Sequence, residues 1–359
     1  MATMHIAIAG GGLMGSLIAW QLARSGKRVT VLEKCDQHSP AAAGYTAAAM
    51  VAPYSERPIS DNDVFRLGQR SLALWPQLIA DLNQDSGERH RFHQNGSLLV
   101  AHPADRAEME DLERHLTRHG LEGDSAIERL GRQRIGELEP ELKNRFDQGL
   151  WMSTEGHLDN RPLLQMLHRT IVSLGGEVCY GQMVDTDDRV WKANGQRINA
   201  DFYLDTRGVG AQPDMPQLRG VRGEVLWIQT SEVRISRPVR LLHPRYRLYL
   251  VPKGESRYIL GATELESDDR SPVTVRSALE LLSALYTLSP RFSEASILEM
   301  SSNLRPALPH HRPEIVVDGN VVSVNGLFRH GYLLAPALLE RLAAQVEWFD
   351  ISAQGNRSA

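Results

Sequence analysis

The chain has 359 residues, 42% hydrophobic and 23% charged, with a formal net charge of −4. That length carries two domains at ordinary sizes, and the near-neutral balance argues against nucleic acid or an anionic membrane surface as a partner. Its two cysteines, Cys35 and Cys179, exclude a disulfide framework and suit a reducing cytoplasm, and no run is apolar for long enough to span a bilayer or form a signal-peptide core.

Residues 4–34 read MHIAIAGGGLMGSLIAWQLARSGKRVTVLEK. The pattern predicts a strand over 6–9, a glycine turn over 10–15, a helix to Arg24, and a second strand over 29–32 that ends on Glu33. This is the order of a dinucleotide-binding fingerprint. Gly10 permits the tight turn, Gly12 lets backbone approach a pyrophosphate, and Gly15 lets the helix lie close to the strand. The helix start offers unpaired N–H groups and a partial positive charge to a phosphate. Glu33 can accept both hydroxyl hydrogens of an adenosine ribose and disfavours a 2′-phosphate. A glycine turn without a ligand is the plainer reading, and the strand context with its acid outweighs it. The motif alone leaves NAD and FAD open.

The small-residue run over 41–49 cannot build a core face of its own. It reads as an Ala-rich loop or as backbone packed against something flat or charged. Residues 61–83 predict one or two helices, with Pro76 at a break. After a polar stretch from Asp85 come a strand over 96–101 and a charged helix over 105–119. His115 and His119 are four apart on that helix, but no ligand shell accompanies them; a solvated face is expected and no metal. A short helical segment follows over 135–140, then a loop or strand over 151–160 ending in Asp159-Asn160 as an N-cap, and a helix over 161–173 closed by Gly175-Gly176. Strands over 177–180 and 202–205 flank the hairpin signal Asn194-Gly195. Strand, helix and parallel strand are what a doubly wound sheet would add.

From Val221 the pattern turns β-rich: strands over 221–229, 247–252 and 258–263, interrupted by one helix over 275–288. This reads as an antiparallel sheet joined to the segment near Gly96. Residues 303–306, strands over 314–317 and 321–325, a second glycine turn over 326–331 and an amphipathic helix over 336–348 complete the chain. The tail 352–359 is expected to stay outside the fold. There is no repeat and no second GxGxxG, so no second dinucleotide is expected.

Laid out in this way, the chain resembles the FAD-dependent D-amino-acid oxidase family, in its glycine-oxidase-like and sarcosine-oxidase-like branch. The resemblance rests on the Gly10–Gly15 turn with Glu33, TAAAM at 46–50, VRGEVL at 221–226, YLVP at 249–252, GATE at 261–264, LRP at 304–306 and GLFRHGYLLAP at 326–336. The last two are the more specific, and they favour FAD over NAD, since a nicotinamide dehydrogenase has no reason to return a second glycine turn and helix to its cofactor. The resemblance implies an α/β fold: a discontinuous Rossmann-like FAD/NAD(P)-binding domain over 1–84, 150–220 and 301–359, and an α+β substrate-binding domain over 85–149 and 221–300 on a large antiparallel sheet. It implies noncovalent FAD. Gly10, Gly12, Leu13, Met14, Gly15, Glu33 and Lys34 would serve its pyrophosphate and ribose, and Val184 its adenine. Thr46, Ala47, Ala48, Ala49 and Met50 would line the flavin. Leu327, Phe328, Arg329, His330, Gly331, Tyr332 and Leu333 would wrap the ring, and Thr206, Gly208 and Gly326 complete the set.

A carboxylate in a desolvated pocket needs a fork-shaped cationic partner. Arg305 stands at the family's carboxylate-binding arginine, Arg329 at its second arginine, and Tyr249 at a tyrosine that donates to the same carboxylate. The implied chemistry is oxidation of the C–N bond of a small amine or amino acid by hydride transfer to flavin N5, giving an imine that hydrolyses. The flavin does the redox step and the protein supplies orientation, so no side-chain base is needed. Oxygen as acceptor would make an oxidase, and a quinone or carrier protein a dehydrogenase; both stay open, as does the oligomeric state. His310 and His311 are proton handlers or ordinary loop histidines. Ala49 stands where the family commonly has Gly, His310-His311 where it often has Asp-Gly, Asn325 where Thr is common, Tyr45 where Ser or Thr is common, and Arg207 sits in a glycine turn. These departures bear on the substrate more than on FAD. The alternative is an FAD-binding dehydrogenase or accessory flavoprotein with a non-amino-acid substrate.

Overall fold

Strand His5–Ala9 is the axis of a six-stranded sheet in the order Glu314–Asp318, Val321–Asn325, Phe202–Asp205, His5–Ala9, Arg28–Glu33, Glu177–Tyr180. The computed structural model describes residues 4–187, 190–245 and 247–350; the tail 352–359 lies outside them. Five of these strands run parallel, and the edge strand Glu314–Asp318 is antiparallel to its neighbour. The central strands are apolar on both faces because both faces are covered. Helices Leu13–Arg24, Asn160–Ser173, Asn62–Ser86 and Gly331–Gln345 share the large core on one side. On the other, Trp191 of a small three-stranded sheet meets Ala9 and Leu32. Asn194 and Gly195, at φ 47° and 81°, make the expected hairpin turn in that small sheet.

An eight-stranded sheet stands beside the first, in the order Ser296–Ala307, Arg219–Gln229, Arg257–Gly261, Arg247–Pro252, Val239–Leu242, Ser97–Ala101, Gln148–Met152, Ile127–Gly131. It is antiparallel except at one seam, where Val239–Leu242 runs parallel to Ser97–Ala101. Helix Val275–Leu288 buries one face through Leu281, Leu285 and Leu288 against Leu226, Ile228 and Leu260. Val225, Trp227, Val251 and Ile259 on the opposite face pack around Ala48 of the small-residue run. The stretch 303–306 is not a separate segment but the end of the twelve-residue strand Ser296–Ala307.

Three local expectations need correction. No break occurs at Pro76, which lies inside one helix, Asn62–Ser86. Asp61 Oδ1 caps its start by accepting from Val64 N at 2.8 Å, and its buried face packs along Gly331–Gln345. That packing outweighs the hydrogen bond a proline removes. The last helix starts at Gly331 rather than at Pro336. A proline at 336 frees the Tyr332 carbonyl of its helical donor, and Trp75 Nε1 donates to that oxygen at 2.8 Å instead. Its first half, Tyr332 to Leu339, is buried throughout, and only from Glu340 on does one side turn toward solvent. Asp159 gives helix Asn160–Ser173 no side-chain cap; Asn160 Nδ2 turns away to donate to Tyr45 O at 2.7 Å and Gly44 O at 3.2 Å. Among the described residues no helix is long and apolar enough to cross a membrane.

Candidate active site

A cavity of about 1000 Å³ runs from the first glycine turn, along the small-residue run, to the cavity-facing side of the large sheet. It sits at the top of the range for small-molecule sites, roughly 300–1,000 Å³.

At the first end, the Gly10–Gly15 turn is held by close backbone contact. Gly10 has φ +99°, and a Cβ there would stand 2.7 Å from Thr206 O. A Cβ on Gly15 would fall 2.1 Å from Gly10 O, so helix and strand touch. Gly12 faces open space, with only Ala42 Cβ at 3.7 Å. No side chain caps helix Leu13–Arg24, which leaves its first amides to a ligand. Glu33 reaches back to the turn: Oε2 accepts from Gly11 N at 2.7 Å and Oε1 from Cys35 N at 2.9 Å. His168 supports the turn from behind, with Nε2 at 2.9 Å from both Gly11 O and Ser16 Oγ. Val184 and Arg207 line the same end. Arg207 is held by Asp205 and Asp214 and donates to Val184 O at 3.0 Å. These groups offer a glycine turn with uncapped helix amides and a carboxylate beside it, and they fit the dinucleotide half of FAD.

In the middle, Ala47, Ala48, Ala49 and Met50 line one wall and Leu327 to Leu333 the other. Ala49 takes φ +53°, the left-handed backbone a glycine would adopt without a Cβ penalty of roughly 1–2 kcal/mol. Lys253, buried behind this wall, donates from Nζ to Ala48 O at 2.7 Å and also to Leu158 O. Burial pulls its pKa down to about 7. Tyr332 Oη donates to Gly44 O at 3.0 Å and ties the two walls together. Asn325 ties the 326–331 turn to the turn at Gly208, donating to Gly208 O at 3.0 Å and accepting from Gly326 N at 2.8 Å.

At the far end, Arg305 and Tyr249 face each other across the large sheet. Gly223 and Gly261 make room for them: a Cβ on Gly223 would stand 2.4 Å from Arg305 Nη2, and one on Gly261 2.8 Å from Tyr249 Oη. Arg305 donates to Thr263 O at 3.0 Å and Arg222 O at 3.2 Å. Among the described residues no carboxylate lies within 4.0 Å of its guanidinium. Burial pushes the Tyr249 hydroxyl above its usual pKa, which keeps it a donor. Arg329, by contrast, already has carboxylates, Glu56 at 2.7 Å and Glu264 at 2.6 Å. Glu56 also pairs with Arg240. Burial alone would raise the Glu56 pKa, but Arg240 and then Arg329 hold it well below the usual carboxylate range. Ser55 fixes the turn that carries Glu56 by donating from N and Oγ to Glu155 at 2.7 and 2.6 Å.

The structure thus brings to one cavity all the expected residues except Gly15 and Gly326, whose work is in the backbone behind the wall. His310 and His311 lie outside the wall, His310 against Glu314 and His311 stacked on Phe328 at 4.5 Å. Cys35 and Cys179 are outside it too, and burial raises both thiol pKa values. His115 and His119 do not converge: one lies against Asp111 O, the other against Arg57. Sequence reasoning missed Glu56, Arg240, Glu264, Lys253, Glu155 and His168. Glu264 closes the GATE motif, which does not show its partner; each of the others is a single charged or imidazole residue with no spacing pattern, placed by long-range contacts.

A family model described as FAD dependent oxidoreductase (DAO) matches residues 5–345. A protein named for thiamine biosynthesis, the oxidoreductase ThiO of Rhizobium etli, is 36% identical over 343 residues, covering 96% of each chain. The solved structure of glycine oxidase from Geobacillus kaustophilus superposes with a TM-score of 0.81 at 24% identity, over 96% of this chain and 95% of that one. The structure of iminodiacetate oxidase from Chelativorans sp. BNC1 superposes with a TM-score of 0.79 at 25% identity, over 95% of each chain.

Proposed function

The chain belongs to the DAO family of FAD-dependent oxidoreductases, and on that premise we propose that it oxidises the C–N bond of a small amine bearing a carboxylate, of the glycine, sarcosine or D-amino-acid kind. The observation that carries this reading is Arg305: a half-buried guanidinium with no carboxylate partner among the described residues, facing the cavity beside the half-buried Tyr249. A cation drawn out of water without a counter-ion is costly, and a substrate carboxylate would reduce that cost with a forked pair of hydrogen bonds.

In this reading Gly10, Gly12, Leu13, Met14, Glu33 and Lys34 hold the pyrophosphate and ribose of FAD, Val184 meets the adenine, and Ala48 to Met50 with Leu327 to Leu333 enclose the ring. FAD, when bound, supplies the acceptor for a hydride from the carbon next to nitrogen, leaving an imine that water hydrolyses. The chain's own part is orientation. Arg305 fixes the carboxylate, Tyr249 donates to it, and apolar walls keep water from the reacting carbon. Lys253 keeps the Ala48–Ala49 backbone in place. The division into a cofactor unit (1–84, 150–220, 301–359) and a substrate unit (85–149, 221–300) belongs to the same proposal.

The test is the visible spectrum of the FAD-loaded protein under anaerobic conditions, as glycine, sarcosine, D- and L-amino acids and cyclic imino acids are added. One of them should bleach the flavin band. Readmitted air then separates oxygen from a quinone or carrier protein as acceptor. A band that no carboxylate amine bleaches would overturn the assignment.

A further inference from the structure

Three guanidiniums act on the Tyr249 end of the cavity, those of Arg305, Arg240 and Arg329. Arginine stays charged in proteins. Arg240 is paired with Glu56, and Arg329 lies between Glu56 and Glu264. Three cations against two carboxylates leave one positive charge, at Arg305. Nearby His330 adds none near neutrality, because burial pulls its pKa down to about 4. Glu56 is 7% exposed and cannot swing into solvent, since it ends the short helix Pro53–Glu56 that Glu155 pins through Ser55.

An amine oxidised as the free base and carrying one carboxylate brings one negative charge, which matches Arg305. Of the three guanidiniums that act on Tyr249, a second carboxylate would find none that is not already paired. It would have to take Arg329 from a buried Glu56, leaving that anion with Arg240 alone and close to a like charge. We propose that Glu56 is a specificity-determining residue: by occupying Arg329 and Arg240 it restricts the pocket to amines with a single carboxylate. The proposal rests on Arg305 being the carboxylate anchor, as read above.

Two ligands that cannot be oxidised at nitrogen test it: methoxyacetate, the oxygen counterpart of sarcosine, and oxydiacetate, the oxygen counterpart of iminodiacetate. Each is titrated into the FAD-loaded protein while the visible flavin band is followed, so the readout needs no turnover. The wild-type protein should bind methoxyacetate more tightly than oxydiacetate. In Glu56→Gln, Arg240 loses its carboxylate and Arg329 keeps only Glu264, which leaves a second positive charge; the preference should move toward oxydiacetate by about tenfold or more, the scale of one hydrogen bond to a charged group. If Glu56→Gln does not load FAD, Glu56→Asp serves, because the shorter side chain keeps the charge but draws the carboxylate back from Arg329 and Arg240 and should shift the preference the same way. Equal wild-type affinity for the two ligands, or an unmoved preference in the variant that loads FAD, overturns the role of Glu56 and leaves Arg305 standing. No band change with either ligand overturns the anchor itself, and this proposal with it.

Discussion

Gly223→Ala separates the substrate end of the cavity from the rest of the fold. A methyl at 223 would stand 2.4, 2.5 and 2.7 Å from Arg305 Nη2, Cζ and Nη1, whereas ordinary contact begins near 3.4 Å. The guanidinium must therefore retreat by about 1 Å, a misplacement that costs on the order of 10²-fold in rate. Its bonds to Thr263 O and Arg222 O, at 3.0 and 3.2 Å, stretch with it. The obstruction is the far end of a flexible side chain, so the fold yields cheaply, at the low end of the roughly 1–3 kcal/mol of core overpacking. The expected result is a normal flavin spectrum, a melting temperature within a few degrees of wild type (about 2–4 °C per kcal/mol for chains of 150–250 residues), and anaerobic flavin reduction by the best amine slowed about a hundredfold. Reduction at the wild-type rate with unchanged amine affinity would refute the claim that the Arg305 position sets the reaction.

Gly15→Ala acts at the opposite end. Its methyl would meet Gly10 O at 2.1 Å and Thr206 Oγ1 at 2.5 Å; the first is backbone and cannot step aside, so the purified variant should carry little FAD by its visible absorbance, and full occupancy would contradict the close-packing role. Lys253→Met orphans the Ala48 and Leu158 carbonyls, at about 1–3 kcal/mol each; a lower melting temperature and a shifted flavin band are expected, and an unshifted band would remove Lys253 from the flavin wall. Burial pushes the Glu155 pKa from 4.5 to about 7. Below pH 4.5 folded and unfolded chains both hold that proton, and between 4.5 and about 7 only the folded chain does. Stability should thus fall across that window by about 3 kcal/mol and no further above it. Glu155→Gln should flatten that part of the pH–stability curve in chemical denaturation, and a parallel curve would show that Glu155 ionises normally in the fold.

The first strand, turn and helix are legible in the sequence because every feature there is local: an apolar run, glycines at fixed offsets and an acid at the end of the next strand. The same holds for Asn194-Gly195, where two residues suffice for the turn. Pro76 misled because packing along the last helix keeps Asn62–Ser86 whole, and Pro336 because Trp75, more than 250 positions from Tyr332, takes the carbonyl it frees; neither is a local fact. Asp159-Asn160 looked like a cap for a similar reason: the helix start competes with the Ala-rich segment for the Asn160 amide, and the segment wins. Arg305 and Arg329 read alike in sequence, one in LRP and one in LFRH. Only in the fold do they part, because Glu56 and Glu264 come to one and not to the other.

The first glycine turn and the wall Leu327 to Leu333 line one cavity from distant parts of the chain. Strand Val321–Asn325 must add to Phe202–Asp205 before Leu327 to Leu333 can close the wall, and Tyr332 must find Gly44 to hold it. A ribosome that has reached residue 320 has already made the whole first turn, its acid and the Ala-rich segment, and none of the residues opposite. The wall Leu327 to Leu333 is therefore the last part of the cavity to be made, and a flavin meets its complete enclosure only once that wall is in place. Closing that cavity joins residues made early to residues made late, and a nucleotide resting on the first turn would lie against both.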